Sequence, residues 1–168
     1  MEEIIVNGLV VRETDIGDYD KLLTVVTNEL GKIYVTGKGV KSLKSKHMPT
    51  TQPYTYNTYV LKKRKYYYIA DSELKEAFYG IRTDLDALAL AAYVCDICCD
   101  LSIEGSSDVP LLRLTLNALY ALSEGKYSKA AVKEAFELKP SLFPDLVRIS
   151  LHAAAAVNTR AAQCISMS

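Results

Sequence analysis

The run Tyr54-Thr55-Tyr56-Asn57-Thr58-Tyr59-Val60-Leu61, followed by Lys62-Lys63-Arg64-Lys65 and then Tyr66-Tyr67-Tyr68-Ile69-Ala70, decides how this chain is read. Its first part alternates and is rich in aromatic and β-branched side chains, which suits a strand with one face buried. The four consecutive cations turn that strand into a second one. Three further strands precede it. Ile4 to Arg12 is apolar and β-branched, and Glu13-Thr14-Asp15-Ile16-Gly17-Asp18 reads as an acidic turn. Leu22 to Thr27 and Lys32 to Thr36 are separated only by Asn28-Glu29-Leu30-Gly31, a spacing that makes them a hairpin. Gly37 to Pro53 is a long Gly-, Lys-, Ser- and Thr-containing connection, of the kind that is functional or mobile when found inside a compact domain. The order β-β-β-loop-β-β suits a small closed barrel, and residues 1–72 are expected to form it.

The same region concentrates charge. From Leu30 to Ala70 there are nine Lys or Arg residues, no acidic residue and seven of the twelve tyrosines. The formal net charge of zero therefore divides into +9 for this window and −9 for the remainder, where 11 basic residues face 20 acidic ones. Such a field suits a phosphate backbone, and tyrosines among the cations add flat surfaces for unpaired bases. A solvated lysine-rich strand pair with tyrosines filling a sheet is the plainer alternative.

Beyond about Ser72 the period becomes helical, and residues 73–168 are expected to form an α-helical domain, giving an α+β protein overall. Thr83-Asp84-Leu85-Asp86 resembles a capping box opening a long, buried helix to about Ile103. Pro110 lies in the first turn of the next helix, which Gly125 stops. Ser128 caps a third helix to about Lys139, and Pro144 to about Ala162 is helical by propensity. The longest strictly apolar run, Ala87 to Cys95, is too short to span a bilayer, and the acidic start Met1-Glu2-Glu3 is unlike a secretory signal, so a cytoplasmic protein is expected.

No catalytic constellation is evident. Gly37-Lys38-Gly39 lacks the following helix start of a nucleotide-phosphate loop, and the two histidines stand outside any motif. The Glu13, Asp15, Asp18 and Asp20 cluster reads as a solvated turn, with a metal site as the alternative. Cys95, Cys98 and Cys99 share a helical face but have no second cysteine pair, so reduced, buried, metal-free thiols are expected. Neither enzyme activity nor a cofactor is expected.

Several segments, in order, resemble one known family: Gly8-Leu9-Val10-Val11-Arg12, Gly17-Asp18-Tyr19-Asp20-Lys21-Leu22, Thr27-Asn28-Glu29-Leu30-Gly31-Lys32-Ile33, Lys38-Gly39 with scattered basics and Ser45, and Gln52-Pro53-Tyr54. Together they are similar to the N-terminal OB-fold domain of the bacterial DNA-repair RecO family. The likeness continues more weakly through Tyr93, Ala118-Leu119 and Phe136-Glu137-Leu138. It implies a non-enzymatic recombination mediator that binds single- and double-stranded DNA, anneals complementary strands, binds the acidic tail of single-stranded-DNA-binding protein, and works with RecR to load recombinase at the bacterial nucleoid. Many members hold zinc through paired cysteines. Here Phe143-Pro144-Asp145-Leu146 leads instead into an alanine-rich tail with a lone Cys164.

The candidate DNA contacts are Lys32, Tyr34, Lys38, Lys41, Lys44, Lys46, Lys63, Arg64, Lys65 and Tyr66. Arg82 and Arg113 are candidate partner contacts, beside a groove between the helices of residues 84–103 and 111–122 that would take an apolar, carboxylate-ended peptide. A module whose basic barrel binds acidic protein tails is the alternative from another class, and an RNA-binding OB protein is a third.

Overall fold

The computed structural model describes residues 2–138. Five strands, β1 (Glu2–Ile16), β2 (Asp20–Thr27), β3 (Gly31–Gly37), β4 (Tyr56–Lys63) and β5 (Tyr67–Glu76), close into a barrel in the order β1-β2-β3-β5-β4. Every neighbouring pair is antiparallel except β3 with β5, which run parallel. This is the five-stranded OB arrangement. Four helices follow: α1 (Tyr79–Arg82), α2 (Leu85–Leu101), α3 (Val109–Glu124) and α4 (Lys129–Glu137).

Several element ends differ from the sequence reading. β1 continues through Glu13 and Asp15, which stay in register opposite Leu23 and Lys21, so the acidic segment is mostly strand and the turn is confined to Gly17–Tyr19. A register shift between Val10 and Arg12 bends β1 into the barrel wall. β5 runs to Glu76, past the boundary expected after Ser72. The cap of α2 is Asp84, whose carboxylate accepts from the amides of Asp86 and Ala87, and Thr83 instead closes the short α1. Ser128 caps α4 and Gly125 ends α3, as the sequence suggested. The expected fourth long helix from Pro144, the alanine-rich tail and Cys164 lie outside the described residues.

Strand alternation divides the apolar side chains between two cores. Val6, Val10, Leu23, Val25, Ile33, Val35, Tyr59 and Leu61 fill the barrel. Leu9, Val11 and Val26 face outward and are covered by Phe78, Ile81 and the inner faces of α2 and α3. Each such side chain contributes roughly 1.5–3 kcal/mol on burial. One side of the barrel is thus sealed by helices.

A second set of contacts fastens the halves. Residues 103–107 lie along the β2–β3 hairpin: the Lys32 amide donates to Ile103 O (3.3 Å), the Gly105 amide donates to Leu30 O (3.1 Å), and the Ser107 hydroxyl donates to Asn28 O. Gly31 sits at the crossing with φ +67°, a conformation that favours glycine. Arg12 of β1 reaches Asp96 of α2 at 3.0 Å.

Candidate nucleic-acid interface

The open side of the barrel is centred on the parallel seam between β3 and β5. On β3, Ile33 and Val35 point into the barrel, so Tyr34 points out, and it is 44% exposed. Val35 pairs with Tyr67 and Thr36 with Tyr68, which puts Tyr68 on the same outer face as Tyr34 while Tyr67 packs against the barrel core. Tyr66, immediately before β5, is 56% exposed. The β4–β5 connection is tight because the Arg64 amide donates to Tyr66 O at 3.0 Å, leaving Arg64 and Lys65 in solvent. Three ammonium groups lie over tyrosine rings: Lys38 over Tyr68 (5.1 Å), Lys65 over Tyr66 (5.5 Å) and Lys63 over Tyr67 (5.7 Å).

The long connection between β3 and β4 is fixed at both ends. At its start, the Gly39 amide donates to the Asp20 carboxylate (2.8 Å), and the Lys41 amide donates to Tyr19 O (3.1 Å). Lys41 Nζ also pairs with Asp15 (2.9 Å). At its far end a 3-10 turn, Pro49–Thr51, buries Thr50 and Thr51. There Thr50 O accepts from the buried Tyr59 hydroxyl and from Asn57 Nδ2, and the Ser72 hydroxyl contacts His47 Nδ1 (2.6 Å) and the Thr50 hydroxyl (2.7 Å). Lys46 pairs with Asp71 at 2.9 Å. Between these anchors Ser42, Leu43 and Lys44 project into solvent.

Those contacts set the protonation behaviour. The Asp15 carboxyl is held below the ordinary range by its bond to Lys41, and Asp71 by its bond to Lys46 and by the Ser72 amide. Burial lowers the His47 pKa, and the nearby Lys46 lowers it further. Burial pushes the Tyr59 phenol up, so it serves as a neutral donor.

The structure therefore gathers most, not all, of the sequence-predicted residues. Tyr34, Tyr66, Arg64, Lys63 and Lys65 belong to the seam and its connecting turn, and Lys38 lies over Tyr68 beside it. Lys41, Lys44 and Lys46 belong to the anchored loop, two of them already bonded to carboxylates. Lys32 is turned the other way: its ammonium donates to Cys99 O (3.0 Å) in the last turn of α2, where a cation suits the helix dipole. Arg82 donates to Pro53 O (2.9 Å) and so braces the end of the loop. Arg113 is exposed on α3, and no contact joins it to Arg82. α2 and α3 pack directly, Ala91, Val94, Cys95 and Cys98 sharing one core with Leu111, Leu112 and Ala118. Cys95, Cys98 and Cys99 are free and buried, with the Cys95 and Cys98 thiols pushed up by burial. Among the described residues no His, Cys, Asp and Glu group could hold a metal ion.

Three surface residues were missed by the sequence reading. Tyr68 follows Tyr66 by two and alternation alone would have placed it on the same face. Lys62, opposite Tyr68 on β4, and Tyr19, 68% exposed at the β1–β2 turn, widen the surface. The signal for Tyr19 was its place between Asp18 and Asp20 in a segment read as a solvated turn.

The family model described as Recombination protein O N terminal matches residues 1–78, and Recombination protein O C terminal matches residues 82–140. Among curated relatives, the DNA repair protein RecO of Acetivibrio thermocellus is 36% identical over 134 residues, covering 79% of this chain and 53% of the relative. Those of Alkaliphilus metalliredigens (133 residues) and Clostridium perfringens (134 residues) are each 32% identical, covering 79% of this chain and 54% of the relative. The chain spans about half the length of the curated relatives it matches.

Proposed function

The chain belongs to the RecO family of recombination proteins, and from that premise we propose that it is a DNA-binding recombination mediator that binds single strands across the open side of its barrel, anneals complementary strands and helps to load recombinase during DNA repair. The observation that carries this reading is the concentration of nine cations, with no acid among them, in the 41 residues from Leu30 to Ala70. In support of it, Lys38, Lys63 and Lys65 lie over tyrosine rings at the β3–β5 seam, while Leu9, Val11 and Val26 elsewhere on the barrel wall are covered by helices. Double-stranded DNA meets the same charges. In this reading the chain acts by binding and not by catalysis. Its partners in this reading are the acidic tail of single-stranded-DNA-binding protein, with Arg113 exposed and Arg82 at Pro53 as the cations of the helical half, and RecR. It works in the cytoplasm, at the nucleoid. No helix among the described residues is long and apolar enough to cross a membrane.

The test is a titration of a labelled oligonucleotide at several salt concentrations. Four to six cations meeting phosphates give a log-log slope of roughly −3 to −4 for a single strand. A slope near zero refutes the reading. One observation favours a second reading, in which acidic protein tails are the ligand: Lys41 and Lys46 already hold carboxylates, those of Asp15 and Asp71. A glutamate-rich peptide that binds tightly where oligonucleotides do not would establish it.

A further inference from the structure

We propose that Tyr34 and Tyr66 form a base-stacking platform on the β3–β5 seam that selects unpaired strands, and that Lys65 covers the platform until a base arrives. The proposal rests on the DNA-binding reading and adds to it the part of the nucleic acid that is recognised. Three observations converge on it.

The first is exposure. Tyr34, on the outer face of β3, and Tyr66, just before β5, are large aromatic side chains left 44% and 56% exposed, so their ring faces are open to a ligand. The second is placement. Tyr34 precedes Val35 and Tyr66 precedes Tyr67, and Val35 and Tyr67 are paired, so the two tyrosines flank the start of the β3–β5 pairing, Tyr34 within β3 and Tyr66 in the bend that leads into β5. Tyr68 continues the same face about 6.6 Å further along its strand. A row of rings at such spacing presents successive flat surfaces to one extended strand.

The third is the disposition of the cations. Lys65 lies over Tyr66 and Lys38 over Tyr68, within reach of both ring and solvent. A cation over an exposed ring is held more weakly than a stacked base, so an incoming base displaces it. The displaced ammonium is then free for the phosphate that flanks the base. Paired bases cannot offer their faces in this way, because those faces are already stacked within the duplex. Phosphate contacts alone would serve single and double strands alike, so the rings supply the discrimination.

The test measures binding of the whole chain, at one salt concentration, to a labelled oligothymidine, a strand of equal length and charge built from abasic units, and a duplex. The variants are Tyr34→Leu/Tyr66→Leu, which keeps apolar bulk without a flat face, and Tyr34→Phe/Tyr66→Phe, which keeps the rings. The expected result is that the wild type and the Phe variant bind oligothymidine about tenfold or more tighter than the abasic strand. The Leu variant should lose that difference while binding the abasic strand and the duplex as the wild type does. Equal wild-type affinity for oligothymidine and abasic strand overturns the platform and leaves the DNA-binding reading standing. Equal losses on all three ligands in the Leu variant also overturn it, since the rings would then act only through the fold. Absence of binding to every oligonucleotide sinks the DNA-binding reading and the platform with it.

Discussion

Replacing Gly31 by Ala should loosen the helical half from the barrel, and the size of the effect follows from the crossing at the β2–β3 hairpin. A Cβ at this position would lie within 3.0 Å of the carbonyl oxygens of both Ile103 and Ser106. Both are backbone atoms, so no side chain can swing aside. The φ of +67° adds roughly 1–2 kcal/mol for any L side chain. Backing residues 103–107 away from the hairpin weakens the Lys32–Ile103 and Gly105–Leu30 bonds, each worth about 0.5–1.5 kcal/mol. The sum is about 2–5 kcal/mol, a large fraction of the stability of a typical domain. Gly39→Ala is the matched control. Gly39 has φ +65° but nothing within 4 Å of its Cβ position, so it carries the conformational cost alone. Entropy lost from the unfolded chain is common to both changes and cancels in the difference. Urea unfolding of the two variants should therefore differ by at least about 1 kcal/mol, Gly31→Ala being the weaker, at the midpoint or through a barrel that outlasts the helices. Equal stabilities would refute the view that residues 103–107 clamp the hairpin.

Changing Lys38, Lys41, Lys44 and Lys46 together to Glu should weaken DNA binding by more than about tenfold without unfolding the barrel, and unchanged affinity would remove the loop from the interface. Tyr59→Phe should cost about 1–3 kcal/mol in urea unfolding, because Thr50 O loses a buried donor and Asn57 a partner; a neutral result would mean that the 3-10 turn is not held from inside the barrel. His47 has a folded pKa below its ordinary 6.5, so the unfolded chain takes up its proton first and stability falls as pH drops below that value. Unfolding of the wild type and His47→Gln between pH 7.5 and about 5 should show the steeper fall in the wild type, and parallel profiles would contradict the assignment.

Much of the barrel was legible because its strands bury one face, and alternation in Tyr56–Leu61 and Ile33–Val35 survives folding unchanged. The acidic stretch was less legible. Glu13 and Asp15 look like turn residues, yet they remain in the β1–β2 ladder and meet Lys21 and Lys41, partners 8 and 26 residues away. α1 is a single turn, too short for any periodicity. The loop of residues 38–55 shows the limit most clearly. Its length and its lysines suggested a functional or mobile cationic segment, and Lys38, Lys44 and Lys46 are exposed while Lys41 is half-buried against Asp15. What fixes it is a set of hydroxyl bonds, from Tyr59 to Thr50 O, from Thr50 to His47 O and between the Thr50 and Ser72 hydroxyls, that have no sequence period and no charge signature. Lys32 illustrates the same limit in reverse. Its charge places it with the other cations, but its position beside the end of α2 commits it to a backbone carbonyl that no linear reading could bring near.

The acid-free window acquires its counter-charges through the fold, and this shapes how it can bind. Asp15, on the extension of β1, and Asp71, on β5, lie outside the window in sequence and are placed against Lys41 and Lys46. Glu3 reaches Lys62 at 3.4 Å in the same manner. These are surface pairs, screened by salt and weak compared with the field of a phosphate chain. They relieve part of the repulsion among the clustered cations in the free protein. They are also weak enough that a phosphate can take the carboxylate's place. Lys38, Lys44, Arg64 and Lys65 have no carboxylate partner among the described residues and can meet an approaching strand first. In the proposed DNA-binding reading, binding would then proceed from these cations to the exchange of Asp15 and Asp71 for phosphate, while the hydroxyl bonds at the 3-10 turn keep the end of the loop in place.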